Sequence, residues 1–166
     1  LIGGAGTDIL KGGSGADNFT ISTAGEGNSD TFDGLTGSDI LNLSSGAHVF
    51  SADSKILNIE TIVLNSSGSS LNISGQTENF IITGGAGVDT ITGGSGADII
   101  TGGGGDDTIS GGAGADTFNI DSGTDAVSDL TTNDILVVSS GATANAVVTS
   151  GFVATSGTSN AGTANF

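Results

Sequence analysis

The strongest constraint on this chain is a nine-residue repeat that is already present at its first residues. Six segments follow the pattern Gly-Gly-x-Gly-x-Asp-x-U-x, in which U is a large apolar residue, and the last four are contiguous. A short period repeated without gaps is typical of a solenoid, in which each unit forms one structural step and stacks on its neighbours. The six segments begin at Gly3, Gly12, Gly84, Gly93, Gly102 and Gly111.

The apolar position of the repeat continues beyond the strict motif. Steps of nine residues from Ile91 and Phe118 reach further apolar residues in both directions, which predicts one continuous nonapeptide block over residues 57–137. The acid at the sixth position is absent from its first three units, so we expect residues 57–83 to form metal-free coils and residues 84–137 to form cation-binding coils. The residues at the apolar position are Leu64, Ile73, Ile82, Val127 and Leu136. The residues at the sixth position of the first three units, in place of the acid, are Ile62, Leu71 and Phe80.

A first block with insertions precedes this one, over residues 1–56. Four extra residues, 21–24, interrupt the period after the second repeat, and the period then resumes with Asp30 and Asp39 at the sixth position. A slip of five residues, 52–56, separates the two blocks. The register ends after Val137, and we expect residues 138–166 to be a β-rich or partly ordered tail.

Each repeat divides into a glycine-rich turn and a strand of three residues. The strand directs residue eight to one face and residues seven and nine to the other, which predicts an all-β fold with the apolar residue inside. Calcium takes six to eight oxygen ligands from carboxylates and backbone carbonyls, so one such turn supplies about half a site and two stacked turns supply a whole one. The candidate ligands are Asp8, Asp17, Asp30, Asp39, Asp89, Asp98, Asp107, Asp116, Asp125 and Asp134, with the turn glycines Gly84, Gly85, Gly87, Gly93, Gly94, Gly96, Gly102, Gly103, Gly105, Gly111, Gly112 and Gly114.

These repeats resemble the repeats-in-toxin (RTX) nonapeptide family. The resemblance implies a right-handed parallel β-roll with two nonapeptides per coil and several Ca²⁺ ions held between turns that lie one coil apart. It implies that an aspartate pairs with the one 18 positions on, while the insertion in the first block leaves the pairing of Asp8 or Asp17 with Asp30 or Asp39 open. The implied pairs in the second block are Asp89 with Asp107, Asp98 with Asp116, Asp107 with Asp125 and Asp116 with Asp134.

Charge and composition argue against several classes of function. The formal net charge is −16, and a polyanion repels nucleic acid and anionic lipid surfaces. No apolar run approaches the length of a membrane span, so we expect no membrane insertion. The chain has one histidine and no cysteine. We interpret His48 as a turn residue in the place of a ligand aspartate and expect no enzymatic activity.

Two functional interpretations remain open. The first is a calcium-binding structural segment of a secreted, self-assembling surface protein, because the Ser-, Thr-, Ala- and Asn-rich coils resemble the RTX regions of bacterial S-layer proteins, filaments or adhesins. The alternative is the C-terminal calcium module of a type I-secreted protease, lipase or toxin. We expect an extracellular or cell-surface location. The expected partners are further copies or further chain of the same protein, with a cell-surface polysaccharide as another candidate.

Overall fold

A computed structural model describes residues 1–152 and 159–166 of the chain, and nearly all of its regular structure is β-strand. The strands are short because each repeat offers only a few residues between its glycine-rich turns. Two short 3₁₀ turns, Glu26–Ser29 and Asp53–Lys55, interrupt them. In chain order the strands are β1 (Ile9–Ser14), β2 (Asn18–Ile21), β3 (Thr31–Thr36), β4 (Ile40–Leu43), β5 (Gly46–Val49), β6 (Ile56–Leu57), β7 (Thr61–Val63), β8 (Ser69–Asn72), β9 (Ile81–Thr83), β10 (Thr90–Thr92), β11 (Ile99–Thr101), β12 (Thr108–Ser110), β13 (Thr117–Ile120), β14 (Thr124–Leu130), β15 (Ile135–Val138), β16 (Thr143–Val148), β17 (Ser159–Asn160) and β18 (Thr163–Asn165).

The strands form three parallel sheets that run along one solenoid. Sheet A has the order β1-β3-β6, sheet B the order β2-β4-β7-β9-β11-β13-β15-β17, and sheet C the order β5-β8-β10-β12-β14-β16-β18. Each strand pairs with the strand one coil further on, and all of these pairs are parallel. The expected parallel β-solenoid is therefore confirmed.

The length of a coil decides how many sides the solenoid has. In the central repeats Ile91 pairs with Ile109, and each coil contains one strand of sheet B and one of sheet C. The earlier coils are longer, as the pairing of Phe19 with Leu41 shows. That extra length accommodates a third strand, so two coils have a strand in each of the three sheets.

The predicted nine-residue register is correct toward the C-terminus and as far back as Ile82, which pairs with Ile100, and it is wrong before that residue. Toward the C-terminus, Ile109 pairs with Val127 and Phe118 with Leu136, as expected. Toward the N-terminus, Ile91 pairs with Leu71 and Ile82 with Ile62, so these coils are two positions longer than the repeat predicts. The predicted alignment of Leu64 and Ile73 with the central strands is therefore wrong, although both side chains are buried.

The core side chains change with the width of the solenoid. In the narrow part, one isoleucine or phenylalanine per strand fills the interior, and Ile91, Ile100 and Ile109 are at most 1% exposed. In the wide part, three phenylalanines come from three different sheets or their edges. Phe32 contacts Phe19 and Phe50 edge to face, with ring centroids 5.9 and 6.2 Å apart. Aromatic rings fill the larger cross-section because each buries more area than an aliphatic side chain.

His48 lies inside the solenoid, which corrects its interpretation as a turn residue. It belongs to β5, its side chain is fully buried, and it pairs with Leu71 on the next coil. Its Nε2 lies 2.9 Å from the carbonyl oxygen of Ser44, so Nε2 carries the proton and donates it to that oxygen. Burial lowers the pKa of His48, which keeps the ring neutral.

The C-terminal residues continue the same architecture in the part that the structure describes. Strands β16 and β18 extend sheet C, and their inward residues are the small side chains Ala144 and Ala146, with Ala164 packed against them. Residues 153–158 of the predicted tail lie outside the described residues. No helix in the described ranges has the length and apolar character of a membrane crossing.

The alternation of inward and outward residues predicts very different costs for two adjacent isoleucines. Ile100 is fully buried and Ile99 is 42% exposed, so Ile100→Ala removes core contacts that Ile99→Ala leaves intact. We expect Ile100→Ala to lower the free energy of unfolding by about 2–5 kcal/mol, and Ile99→Ala by about 0.5 kcal/mol or less. Urea titration of both variants in millimolar calcium measures the difference. Equal losses would contradict the inward assignment of Ile100.

Candidate metal centre

The sixth-position aspartates lie where each turn enters a strand, and they form columns along the solenoid. In six of the ten, the backbone N–H donates a hydrogen bond to Oδ1 of the aspartate one coil further on. Asp89 donates to Asp107 at 2.8 Å, and Asp107 donates to Asp125 at 2.9 Å. On the opposite edge, Asp98 donates to Asp116 at 2.8 Å and Asp116 to Asp134 at 2.9 Å. The structure thus brings together the four pairs that the family spacing implies.

The first block contains the same pairs at a longer spacing. Asp8 donates to Oδ1 of Asp30 at 2.9 Å, and Asp17 donates to Oδ1 of Asp39 at 2.8 Å, each over 22 residues. Both pairs span the insertion once, so both aspartates of a coil shift by the same amount and remain aligned. The question that the sequence left open is therefore decided in favour of pairing.

The second carboxylate oxygen of these residues points into a closed space. Among the described residues, Oδ2 is buried without a hydrogen-bond partner in Asp8, Asp17, Asp39, Asp107 and Asp125. An unpaired buried carboxylate oxygen is costly, so it requires a proton or a cation nearby.

The first glycine of a turn borders this space, as Gly12, Gly34 and Gly102 do beside Oδ2 of Asp17, Asp39 and Asp107. The turns of Gly84 and Gly93 have the same layout, although Oδ2 of Asp89 and Asp98 there also accepts the N–H of Gly85 and Gly94. A Cβ atom added to Gly84 would lie 2.8 Å from Oδ2 of Asp89 and would also meet the carbonyl oxygen of Gly102. Gly93 has the same surroundings, with Asp98 and Gly111 in the corresponding places. The hydrogen atom of glycine therefore leaves room in which a carboxylate oxygen and a carbonyl oxygen of the next coil face each other.

Two glycines of the turn also need the left-handed region of the backbone. Gly103 has φ +95° and Gly105 has φ +109°, values that side-chain-bearing residues rarely adopt. A Cβ atom on Gly105 would also lie 2.8 Å from the carbonyl oxygen of Gly87 on the preceding coil. The turns can stack at the spacing of a parallel sheet only because these positions lack a side chain.

The donor set fits calcium better than a transition metal. Within the described ranges, no three His, Cys, Asp or Glu side chains come together as a metal-binding group. A cation between two turns therefore needs backbone carbonyl oxygens beside one or two carboxylates, and a shell built only of oxygen is the preference of calcium. The ten aspartates and the turn glycines fit this role by position, and their service as ligands stays a prediction.

Burial, joined in three cases by repulsion between carboxylates, raises the pKa values of four aspartates in the second block. Desolvation is the main cause at Asp98, Asp107, Asp116 and Asp125, and neighbouring carboxylates add to it at the last three. The backbone N–H donors act in the opposite direction. The pKa rises to about 7 at Asp116 and to about 6 at Asp125. Without a cation, these carboxylates therefore hold protons at a pH where an ordinary aspartate is ionised.

The columns continue into the coils that the sequence predicted to be metal-free. There the residues at the starts of strands are Glu60 and Phe80, which directly precede β7 and β9, and Ser69, the first residue of β8, whereas Ile62 and Leu71 point into the core. The N–H groups of Ser69 and Phe80 donate to Oδ1 of Asp89 and Asp98 at 2.6 and 2.8 Å. Ser69 and Phe80 bring no carboxylate, but Glu60 does, and Asp39 donates to its Oε2 at 2.7 Å.

The motif did not identify Asp129 as a member of these turns. Its carboxylate accepts hydrogen bonds from the N–H groups of Gly111 and Gly112 at 3.1 and 2.8 Å, and from the hydroxyl of Ser110 at 2.6 Å. The signal was present in the sequence, because Asp129 stands 18 residues after Gly111, where the other repeats have glycine. It joins the last glycine-rich turn to the coil that follows.

Comparison with known proteins gives one match. The family model described as the RTX calcium-binding nonapeptide repeat matches four copies, over residues 1–20, 24–47 and 83–118. The matched segments contain the paired aspartates from Asp8 to Asp39 and from Asp89 to Asp116. Neither the curated proteins nor the solved structures contain a match to the chain.

The columns predict that an aspartate in the middle contributes to more calcium ions than one at the start. Asp107 has aspartates on both neighbouring coils, whereas Asp89 has Ser69 on one side. We expect Asp107→Ala to lower the calcium stoichiometry by about two ions and Asp89→Ala by about one, since calcium shares ligands from two turns. Isothermal titration calorimetry of both variants gives the numbers. Equal losses would mean that the pairing along the column does not define the sites.

The raised pKa values predict that acid partly replaces calcium. A carboxyl group whose pKa is higher in the folded chain stabilises the fold at low pH, and this contribution is lost as the pH rises through the folded value. In a chelator, we therefore expect the β-sheet circular dichroism to increase as the pH falls from about 8 to about 5.5, because Asp116 and Asp125 titrate near 7 and 6. Asp116→Asn should weaken this dependence. A β signal that is constant or falls on acidification would contradict the prediction.

Proposed function

The chain contains calcium-binding nonapeptide repeats of the RTX family over the segments that match, and from this premise we propose that it is a calcium-dependent structural segment of a secreted, self-assembling surface protein. The observation that carries the proposal is the row of buried carboxylate oxygens without partners among the described residues, four of which face the first glycine of their own turn. Cations complete these turns and make the solenoid rigid.

Calcium binding and folding are coupled in this proposal. Eight of the ten paired aspartates are buried, and the chain carries a net charge of −16. Without bound calcium, the carboxylates of neighbouring coils therefore repel one another. Each coil contributes only a few large apolar side chains to the core. Because a complete ion-binding shell exists only when two coils are stacked, the free energy of calcium binding becomes free energy of folding.

Calcium dependence favours an extracellular location. Calcium modules that work outside the cell bind with dissociation constants of about 10⁻⁴–10⁻³ M, which matches the calcium concentration there and not inside the cell. A chain of this kind stays unfolded where calcium is scarce and folds where calcium is abundant. This behaviour suits export of the unfolded chain followed by folding at the cell surface.

An apolar row on the outside of sheet B supports self-assembly. Ile81 pairs with Ile99, and the row continues through Thr117 to Ile135. Ile81 and Ile99 are 48% and 42% exposed on the outer face of sheet B, although both are large apolar residues. Exposed apolar side chains that lie next to each other favour a contact surface, and a second copy of the chain would present the same pair.

Sedimentation velocity tests both parts of the proposal. In the presence of a chelator, we expect an expanded monomer that sediments slowly. In millimolar calcium, at tens of micromolar protein, we expect the chain to become compact and then to form oligomers that sediment faster. The double variant Ile81→Thr, Ile99→Thr should become compact in calcium and remain monomeric, because threonine already occupies this row at Thr117. Val88→Thr is the control, since Val88 is 64% exposed in a turn outside the row.

The outcomes separate the two parts. A chain that sediments identically with and without calcium would overturn calcium-dependent folding. A chain that becomes compact in calcium but stays monomeric would overturn self-assembly. That second result would favour the alternative function, the calcium module of a secreted protease, lipase or toxin.

A further inference from the structure

The turn between β6 and β7 lies one coil beyond the segment from Gly34 to Asp39, which runs from the second half of β3 to the start of β4 and is called the Gly34–Asp39 turn below. Phe32 pairs with Ile56 before these turns, and Ile40 pairs with Thr61 after them. The second turn is therefore three residues shorter than the first, and it consists of Asn58, Ile59 and Glu60. This segment lies outside the repeats that match the family.

The short turn presents the same two kinds of oxygen atom as a glycine-rich turn. A Cβ atom on Gly34 would meet the carbonyl oxygen of Asn58 and Oδ2 of Asp39. In the central repeats, Gly84 meets the carbonyl oxygen of Gly102 and Oδ2 of Asp89 in the same way. Asn58 therefore stands in the place of the first glycine of the next coil.

Glu60 stands in the place of the next aspartate. The N–H of Asp39 donates to Oε2 of Glu60 at 2.7 Å, as the N–H of Asp89 donates to Oδ1 of Asp107. Glutamate has one more methylene group than aspartate, and the longer side chain fits a turn that has lost three residues. The hydrogen-bond column Asp17–Asp39 thus gains a third carboxylate.

The backbone of Asn58 is held in an uncommon conformation that directs its carbonyl oxygen toward Gly34. Its φ is +51°, in the left-handed region, where asparagine is tolerated better than most residues. The side chain of Asn58 donates from Nδ2 to Oδ1 of Asp33 at 2.8 Å, and the same oxygen accepts from the N–H of Leu35 at 3.2 Å. Asp33 therefore fixes the two turns to each other.

An independent observation indicates that the space between these turns holds a ligand. Asp39 is 1% exposed, and its Oδ2 is buried without a hydrogen-bond partner in the described part of the chain. This oxygen faces the hydrogen atom of Gly34, beside the carbonyl oxygen of Asn58. A buried carboxylate oxygen, a carbonyl oxygen and a second carboxylate are oxygen donors for a hard divalent cation.

We propose that Asn58 and Glu60 complete a calcium site with the Gly34–Asp39 turn. The calcium sites of the first block then extend one coil beyond its last glycine–aspartate repeat. The inference rests on calcium binding by the repeats and does not depend on self-assembly. Asn58 supplies its carbonyl oxygen, and Asp39 and Glu60 supply carboxylates. The solenoid therefore keeps an ion at the coil where the glycine-rich motif has already ended.

Neutralisation of Glu60 tests the site without removing its hydrogen-bond acceptor. Glu60→Gln keeps an oxygen that accepts from Asp39 N–H but removes the charge that a cation needs. Native mass spectrometry and calorimetry should show one bound calcium fewer than in the parent chain. Glu78→Gln is the matched control, because Glu78 accepts from the Thr77 N–H at 3.3 Å in a turn where Phe80 replaces the acid. An unchanged ion count in Glu60→Gln would overturn the proposal.

Diffraction from the unmodified chain tests the same site without a variant, in case Glu60→Gln does not fold. An anomalous difference map of the calcium-saturated protein, recorded at long wavelength, should contain a peak between Gly34, Asn58 and Asp39. Peaks at the central repeats without one here would overturn this proposal and leave calcium binding by the family repeats intact. A map without any calcium peak would overturn both.

Discussion

The buried carboxylate between two stacked coils is the interaction on which the rest of this structure depends. In eight of the ten paired aspartates one oxygen accepts a backbone N–H from the preceding coil, and in five of the ten the second oxygen is buried without a partner among the described residues. Apolar side chains stacked along the interior supply the other part of the stability. Because a buried oxygen of this kind requires a proton or a cation, the proposed function couples assembly of the coils to ion binding.

Coil length determines the cross-section, and the cross-section determines the core. The short coils of the central repeats close with two strands and stack isoleucines such as Ile91 and Ile109. The longer coils of the first block have room for a third strand, and Phe19, Phe32 and Phe50 fill the wider interior. The aspartate columns stay aligned despite this change. The insertion lies once between the two aspartates of each pair, so the spacing increases by the same number of residues on both edges of the solenoid.

The structure of the glycine-rich repeats could be predicted from the sequence because it depends on residues that are close together in the chain. The motif fixes the turn, the acid and the inward residue within nine positions, so the pairs Asp89–Asp107 and Asp98–Asp116 followed from the family spacing. The coils between the two blocks could not be predicted in this way. Leu64 and Ile73 match the apolar period and are buried, yet Ile62 and Leu71 pair with the central strands. Apolar residues two positions apart satisfy the same pattern, so only the strand pairing distinguishes them.

The sequence by itself determined the parallel solenoid, the inward residues of its regular repeats and the acids that line its turns, because each depends on a short period. The tertiary structure decided three other features: the pairing of Asp8 with Asp30, the place of His48 in the core, and the substitution of Asn58 and Glu60 for a glycine and an aspartate. These depend on which residues lie one coil apart. The number of residues in a coil changes with every insertion. It is determined only when the strands of neighbouring coils pair and the core side chains pack.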